Sequence, residues 1–206
     1  AHVNRYVKNV TVGERTPEGL PVKVEWILTD IQVPYTMEFL VRNDGSLQVS
    51  GTMDMTGKKL PELPRFGMRM ELAGRYENLC YYGRGPQENY IDRWSSAFVG
   101  RPQETGNKTD VRWLSLSDGE GTEVEITGVS QPIAFSALHY APEDLDPGLT
   151  RKMQHTIDAI PQKDVFLHVD LKQRGLGGDN SWGMFPYNPY RLWDKKYSYS
   201  YLIRLK

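Results

Sequence analysis

Apolar and polar residues alternate along most of this chain with a period of two. Val22, Val24, Trp26 and Leu28 stand between Lys23, Glu25 and Ile27, the pattern of a strand with one buried face. Leu47, Val49, Gly51, Met53 and Met55 alternate in the same way with Gln48, Ser50, Thr52 and Asp54. Just before them, Asn43-Asp44-Gly45-Ser46 carries an Asp-Gly turn signal, so residues 36–42 read as the hairpin partner. Phe66, Met68, Met70 and Leu72 mark another strand, and residues 79–82, 112–116, 123–127 and 133–140 continue the series. Val165, Leu167, Val169 and Leu171 alternate with Phe166, His168 and Asp170, and Tyr197, Tyr199, Tyr201, Ile203 and Leu205 with Ser198, Ser200, Leu202 and Arg204.

One stretch has helical spacing instead. Within residues 147–160, Leu149, Met153, Ile157 and Ile160 would share a face, with Asp146 as a cap ahead of Pro147. Many strands separated by turn signals predict an all-β, antiparallel two-sheet sandwich. The segments 13–21 and 57–64 read as connecting loops within one domain spanning residues 1–206.

A length of 206 residues suits one large β domain or two small ones, and a chain of that size buries enough surface to need no staples. With 25 basic and 26 acidic residues the net charge is −1, against the basic patch expected of a nucleic-acid binder and without attraction to an anionic membrane. Cys80 is the single cysteine, which excludes an internal disulfide framework or a cysteine metal cluster. No apolar run approaches the roughly 18 residues of a membrane span, and the first residues do not read as a signal peptide.

The most unusual composition lies at Gly175-Leu176-Gly177-Gly178-Asp179-Asn180-Ser181-Trp182-Gly183-Met184-Phe185-Pro186. Glycine reaches backbone angles that strain other residues, and Asp, Asn and Ser fix turns through their own backbone. This is a shaped loop carrying one large ring. An indole offers a flat apolar face and one N–H donor, which suits the apolar face of a sugar, with Asp179 and Asn180 beside it for the hydroxyls. A long turn whose Trp182 plugs the end of a core fits the same residues.

Of the four histidines, His2, His139, His155 and His168, no two have metal-ligand spacing. His139, at the end of a strand, suits either a hydrogen-bonded sheet end or acid–base work on the anomeric hydroxyl of a sugar; His168 reads as structural. Glu88, Asp92 and Arg93 follow the Gly83-x-Gly85-Pro86 turn. They fit an ion-pair network against another domain, or, as charges beside Gly-Pro turns usually do, they pin a loop within this one. No phosphate loop or dinucleotide fingerprint is present.

Three blocks occur in order: Leu63-Pro64-Arg65-Phe66-Gly67, Gly83-Arg84-Gly85-Pro86-Gln87-Glu88-Asn89-Tyr90-Ile91-Asp92-Arg93, and Gly177-Gly178-Asp179-Asn180-Ser181-Trp182. Together with Asp110-Val111-Arg112-Trp113 they span most of the chain, and the set resembles the last domain of bacterial β-galactosidases of glycoside hydrolase family 2. The resemblance implies a wide sandwich similar to galactose mutarotases, acting as the C-terminal domain of a longer enzyme. It implies that the catalytic carboxylates lie on a barrel elsewhere in the parent chain, with none here. It places Trp182 against the galactose of a β-galactoside, and puts the family's magnesium and sodium on the barrel, with no metal in this domain. It also implies a catalytic barrel as partner and a homo-oligomeric parent. In the folded domain, Trp182 is then expected to lie partly exposed at one end of the sandwich, beside a shallow groove. The sequence departs from the family around residues 98–102, where about a dozen residues that usually precede the Arg101-Pro102-Gln103-Glu104 block are missing. A free-standing sugar-binding or mutarotase-like protein, and a purely structural assembly domain, are the other readings of the same loop.

Overall fold

The computed structural model describes residues 4–93, 106–146, 156–180 and 182–206. The strands are β1 Arg5–Val12, β2 Gly19–Leu28, β3 Val33–Arg42, β4 Leu47–Asp54, β5 Arg65–Leu72, β6 Asn78–Tyr82, β7 Lys108–Val111, β8 Trp113–Ser117, β9 Glu123–Gly128, β10 Ile133–Leu138, β11 Val165–Gln173 and β12 Lys196–Leu205. They form an eight-stranded sheet in the order β1-β2-β3-β4-β12-β9-β8-β6, and a four-stranded sheet in the order β5-β11-β10-β7. Every pairing is antiparallel. The sandwich expected from the alternation is therefore present.

The alternation becomes the core because residues directly opposite across a ladder share a face. Tyr197, Tyr199 and Tyr201 of β12 stand opposite Met53, Gly51 and Val49 of β4, and all six are buried. From the small sheet, Phe66 meets Tyr197 and Tyr199 at ring-centre distances of 5.2 and 5.6 Å, while Phe135 meets Tyr81 at 5.2 Å. These are the separations at which aromatic edges and faces attract. Gly51 leaves the space that Tyr199 fills, since a Cβ there would come within 3.1 Å of the ring. The β3–β4 turn is as the Asp-Gly signal requires: Gly45 has φ +83°, and Asp44 accepts the Ser46 amide at 2.9 Å.

Two parts of the chain depart from the alternation reading. The stretch 112–116, read as one strand, follows a further strand that the pattern did not mark. β7 belongs to the small sheet and β8 to the large one, with Arg112 alone between them. Its amide donates to Tyr82 O at 2.8 Å and its carbonyl accepts from Gly128 at 2.9 Å. β1 was likewise unmarked. The expected helix over 147–160 falls mostly outside the described residues. At its described end, Thr156–Asp158 is one 3-10 turn, and Ile157 and Ile160 face solvent; neither packs a core-facing helical stripe. Asp146 closes a short helix before it, α1 Pro142–Leu145, by donating its backbone N–H to Pro142 O. The departure near residues 98–102 lies outside the described residues.

Candidate functional site

The glycine-rich loop leaves the small sheet at the end of β11 and returns to the large sheet at β12, so it crosses one end of the sandwich. Its two legs are tied at the base. Glu62 accepts from Arg174 at 3.0 Å and from Arg191 at 2.7 and 2.9 Å. Those cations, Arg191 foremost, hold the buried Glu62 carboxyl below its ordinary range. The Leu63 amide donates to Leu192 O and the Gly175 amide to Tyr190 O. Arg191 also lies 4.6 Å from the Phe185 ring centre and 4.5 Å from that of Trp193, within cation–π range.

Above this base the loop is clamped by Asp92. Its carboxylate accepts from the Leu176 amide at 3.2 Å and from the Gly177 amide at 2.7 Å. The approach leaves no room for a side chain at Gly175 and little at Gly177. A Cβ on Gly175 would stand 2.4 Å from Asp92 Oδ2, and one on Gly177 would stand 3.1 Å from it. Gly178 makes room for the returning chain, since its Cβ would meet Met184 O at 2.4 Å. Gly183 has φ +96°, a left-handed conformation that glycine adopts without strain.

Asp92 is itself held in place by the second block. Asn89 is buried; its amide NH2 donates to Arg84 O and Gln87 O, and its carbonyl accepts from the backbone and hydroxyl of Thr109. Glu88 accepts from the Gly106 amide at 2.9 Å and pairs with Arg93 at 3.3 Å. Tyr90 and Arg93 close a tight turn around Ile91 and Asp92 through reciprocal backbone bonds. Of the two sequence readings of Glu88, Asp92 and Arg93, the structure shows the loop-pinning one, and the loop that Asp92 pins is the one carrying Trp182.

Trp182 is 93 % exposed. It does not plug a core, and it is freer than the partial exposure expected. Its backbone N–H donates to Asn180 Oδ1 at 2.8 Å, an Asx turn that sets the ring's take-off point. Asp179 accepts from the Tyr187 hydroxyl, a contact that raises the phenol's pKa. Asn180 and Asp179 thus hold the loop, the former by a backbone bond and the latter by a side-chain one. Met184, Phe185, Tyr187, Tyr190 and Trp193 are also exposed, so the ring stands in a wider apolar and aromatic surface.

His139 is not part of this assembly. It follows β10, whose last residue Leu138 pairs with Phe166 near the start of β11, whereas the loop follows the end of that strand. At about 3.3 Å per residue the two lie about 30 Å apart. His139 Nε2 lies 3.4 Å from Glu77 Oε2. A groove of about 380 Å³ lies on the outer face of the small sheet, with Arg65, Ser136, Leu138, Phe166 and His168 in its lining. Neither Trp182, Asp179, Asn180 nor His139 lines it.

The first block proves to be the hub behind that groove. Arg65 reaches Asp170 at 3.1 Å, His168 Nδ1 at 2.7 Å and Gln173 at 2.6 Å. Gly67 leaves the space for Asp170: a Cβ there would fall 1.9 Å from its carboxylate oxygen. Burial pushes the Asp170 carboxyl up to about 7 against the pull of Arg65. Burial, reinforced by Arg65 and Arg69, pushes His168 down to about 4. His168 is structural, as its place on the polar face of the strand suggests; the role of Asp170 is hidden in the sequence, because it too sits at a polar position of an alternating strand. Among the described residues, no three His, Cys, Asp or Glu side chains could together hold a metal ion. No helix among them is long and apolar enough to cross a membrane.

The family model of the β-galactosidase small chain matches residues 1–203. Curated relatives include a β-galactosidase of Priestia megaterium, 30 % identical over 100 % of this chain and 20 % of its own length. Others are from Halalkalibacterium halodurans, at 33 % over 79 % and 17 %, and Bifidobacterium adolescentis, at 34 % over 79 % and 17 %. The chain therefore spans about a fifth of the length of these relatives. Among solved structures, a GalM/aldose epimerase homologue from C. elegans overlaps 96 % of this chain and 68 % of its own, with a TM-score of 0.36 and 11 % identity. The chain belongs to the β-galactosidase small-chain family.

Proposed function

We propose that this member of the small-chain family is one domain of a longer β-galactosidase, and that it completes the sugar site while the reaction is carried elsewhere in the parent chain. Retaining glycosidases act through two carboxyl groups about 5 Å apart; in this reading both belong to the parent's barrel. The role of this domain is to present Trp182 to the galactose ring. The observation that carries the reading is the exposure of Trp182 on a loop fixed from below by Asp92. An indole held in one place without core packing is available to a ligand. Asn180 and Asp179 set the loop and border the ring; the Asn180 NH2 group makes no hydrogen bond to the described residues and can reach a sugar hydroxyl.

The experiment is Trp182→Ala in the assembled enzyme. A stacked sugar gains about 1–3 kcal/mol from covering an apolar face, so KM for a β-galactoside should rise by about one to two powers of ten. Trp182→Phe should lose less, and the thermal midpoint should barely move. An unchanged KM in a folded enzyme would refute the assignment. The short span relative to its relatives favours a domain of a larger enzyme over a free-standing sugar binder. The size of the native gene product separates the two.

A further inference from the structure

The two sheets are unequal, and the excess of the larger one is apolar. Three rows of side chains cross it in register on its inner face. One runs Tyr201–Val49–Phe39–Val22–Val12, the next Tyr199–Gly51–Met37–Val24–Val10, and the third Tyr197–Met53–Tyr35–Trp26–Val7. Each begins in the core and ends in solvent. The three tyrosines are at most 3 % exposed, whereas Val12, Val10 and Val7 are 62, 54 and 46 % exposed. The reason is where the small sheet stops. Its edge strand β5 seats Phe66 on Tyr35, Tyr197 and Tyr199. Beyond it every residue of β1 is exposed, while Val22, Val24 and Trp26 of β2 are only partly buried.

β5 is open on the same side. Among the described residues it pairs with β11 alone, and it has eight residues and no proline. A strand edge of that length with unpaired backbone groups is a template for another strand. The next strand past β5 would therefore hydrogen-bond to it, and its inward side chains would land on Val10, Val22 and Val24. We propose that this step, formed by the edge of β5 and the inner face of β1–β2, exposed along β1 and partly buried along β2, binds an extended segment of the parent polypeptide from outside residues 1–206, adding it to the four-stranded sheet by β-augmentation. The occupant is a period-two segment with valine-, leucine- or isoleucine-like residues on one face. Two observations select the parent chain as its source: about four-fifths of the length of the curated relatives lies outside the region matched, and the exposed valines continue the rows of the core itself. The inference rests on the reading of this chain as part of a longer protein.

The test uses the full-length protein carrying Val10→Cys, with Val24→Cys as a second variant. Alkylation at that position is followed by peptide mass spectrometry, native against urea-unfolded. The native protein should react at least about tenfold more slowly, and a short thiol-directed cross-linker at the new cysteine should map to a peptide of the same polypeptide outside residues 1–206. Should the substitutions perturb folding, hydrogen exchange of the unsubstituted protein replaces them, and the amides of β5 should be protected to the level of β11. Native alkylation as fast as in urea, rapid exchange along β5, or cross-links only to a second copy would overturn the proposal. Trp182→Ala is measured in the same preparation. A raised KM with an unprotected step would leave the proposed function standing and sink this inference alone.

Discussion

Asp92 and Gly177, 85 positions apart in the chain, are joined by a hydrogen bond of 2.7 Å from the glycine amide to the carboxylate. Gly175 makes room for it, since a Cβ there would fall 2.4 Å from the carboxylate, and a Cβ on Gly177 would crowd it at 3.1 Å. A residue of the second sequence block thus determines where a residue of the third stands, and through it where Trp182 is presented.

Asp92→Ala should therefore mimic Trp182→Ala in direction. Hydrogen bonds to a charged acceptor contribute about 1.5–3 kcal/mol, so the variant should lose about that much stability in denaturant titration. KM for a β-galactoside in the assembled enzyme should rise by about tenfold. In the double variant with Trp182→Ala the KM effects should be less than additive, because both act through one ring. Full additivity would show that Asp92 does not act through Trp182.

Gly67→Ala tests the hub on the small sheet. The added methyl would stand 1.9 Å from an Asp170 oxygen and 2.5 Å from its Cα, so the two strands must separate. Overpacking of this kind costs about 1–3 kcal/mol, at times more, and urea midpoints should fall accordingly. Gly57→Ala, with open space around it but φ +79°, should show only the smaller backbone penalty.

The Arg65 hub also predicts opposed pH dependences. Asp170 is raised in the folded protein to about 7. Its contribution is full below the unfolded carboxyl's pKa and is lost as pH rises through about 7. His168 is lowered to about 4. The unfolded imidazole binds the extra proton, so its contribution grows as pH rises from about 4 to about 6.5. Arg65 and Arg69 push His168 down while Glu143 opposes them. Over that window the two groups offset one another. Asp170→Asn should leave stability rising with pH between about 4 and 6.5, and His168→Gln should leave it falling between about 4 and 7. Chemical denaturation across that range measures both slopes, and equal slopes in the two variants would contradict the assignment.

The isolated chain should not turn over a chromogenic β-galactoside. Hydrolysis that survives purification, and disappears on removal of one carboxylate of this chain, would place the chemistry here and refute the division of labour proposed above.

What could be read from the sequence was what depends on neighbours along it. Period-two alternation marked Val22 to Leu28 and Tyr197 to Leu205 as strands, because side chains of one strand must choose between core and water. Asp44-Gly45 marked a hairpin, and the glycine-rich stretch marked a loop that presents Trp182. The rest depended on partners distant in the chain. Arg112 alone carries the chain from one sheet to the other, with neither glycine nor proline to announce it, because the switch is made by backbone bonds to Tyr82 and Gly128. β1 escaped notice because its valines face a part of the sheet left uncovered, so exposure blurs the contrast that burial sharpens elsewhere. His139 carried the right functional groups, but antiparallel pairing of β10 with β11 sends it to the far end of the small sheet. Asp92 became a partner of the loop only in three dimensions: a carboxylate's acceptors show no preference along the sequence, and only folding decides which amides they meet.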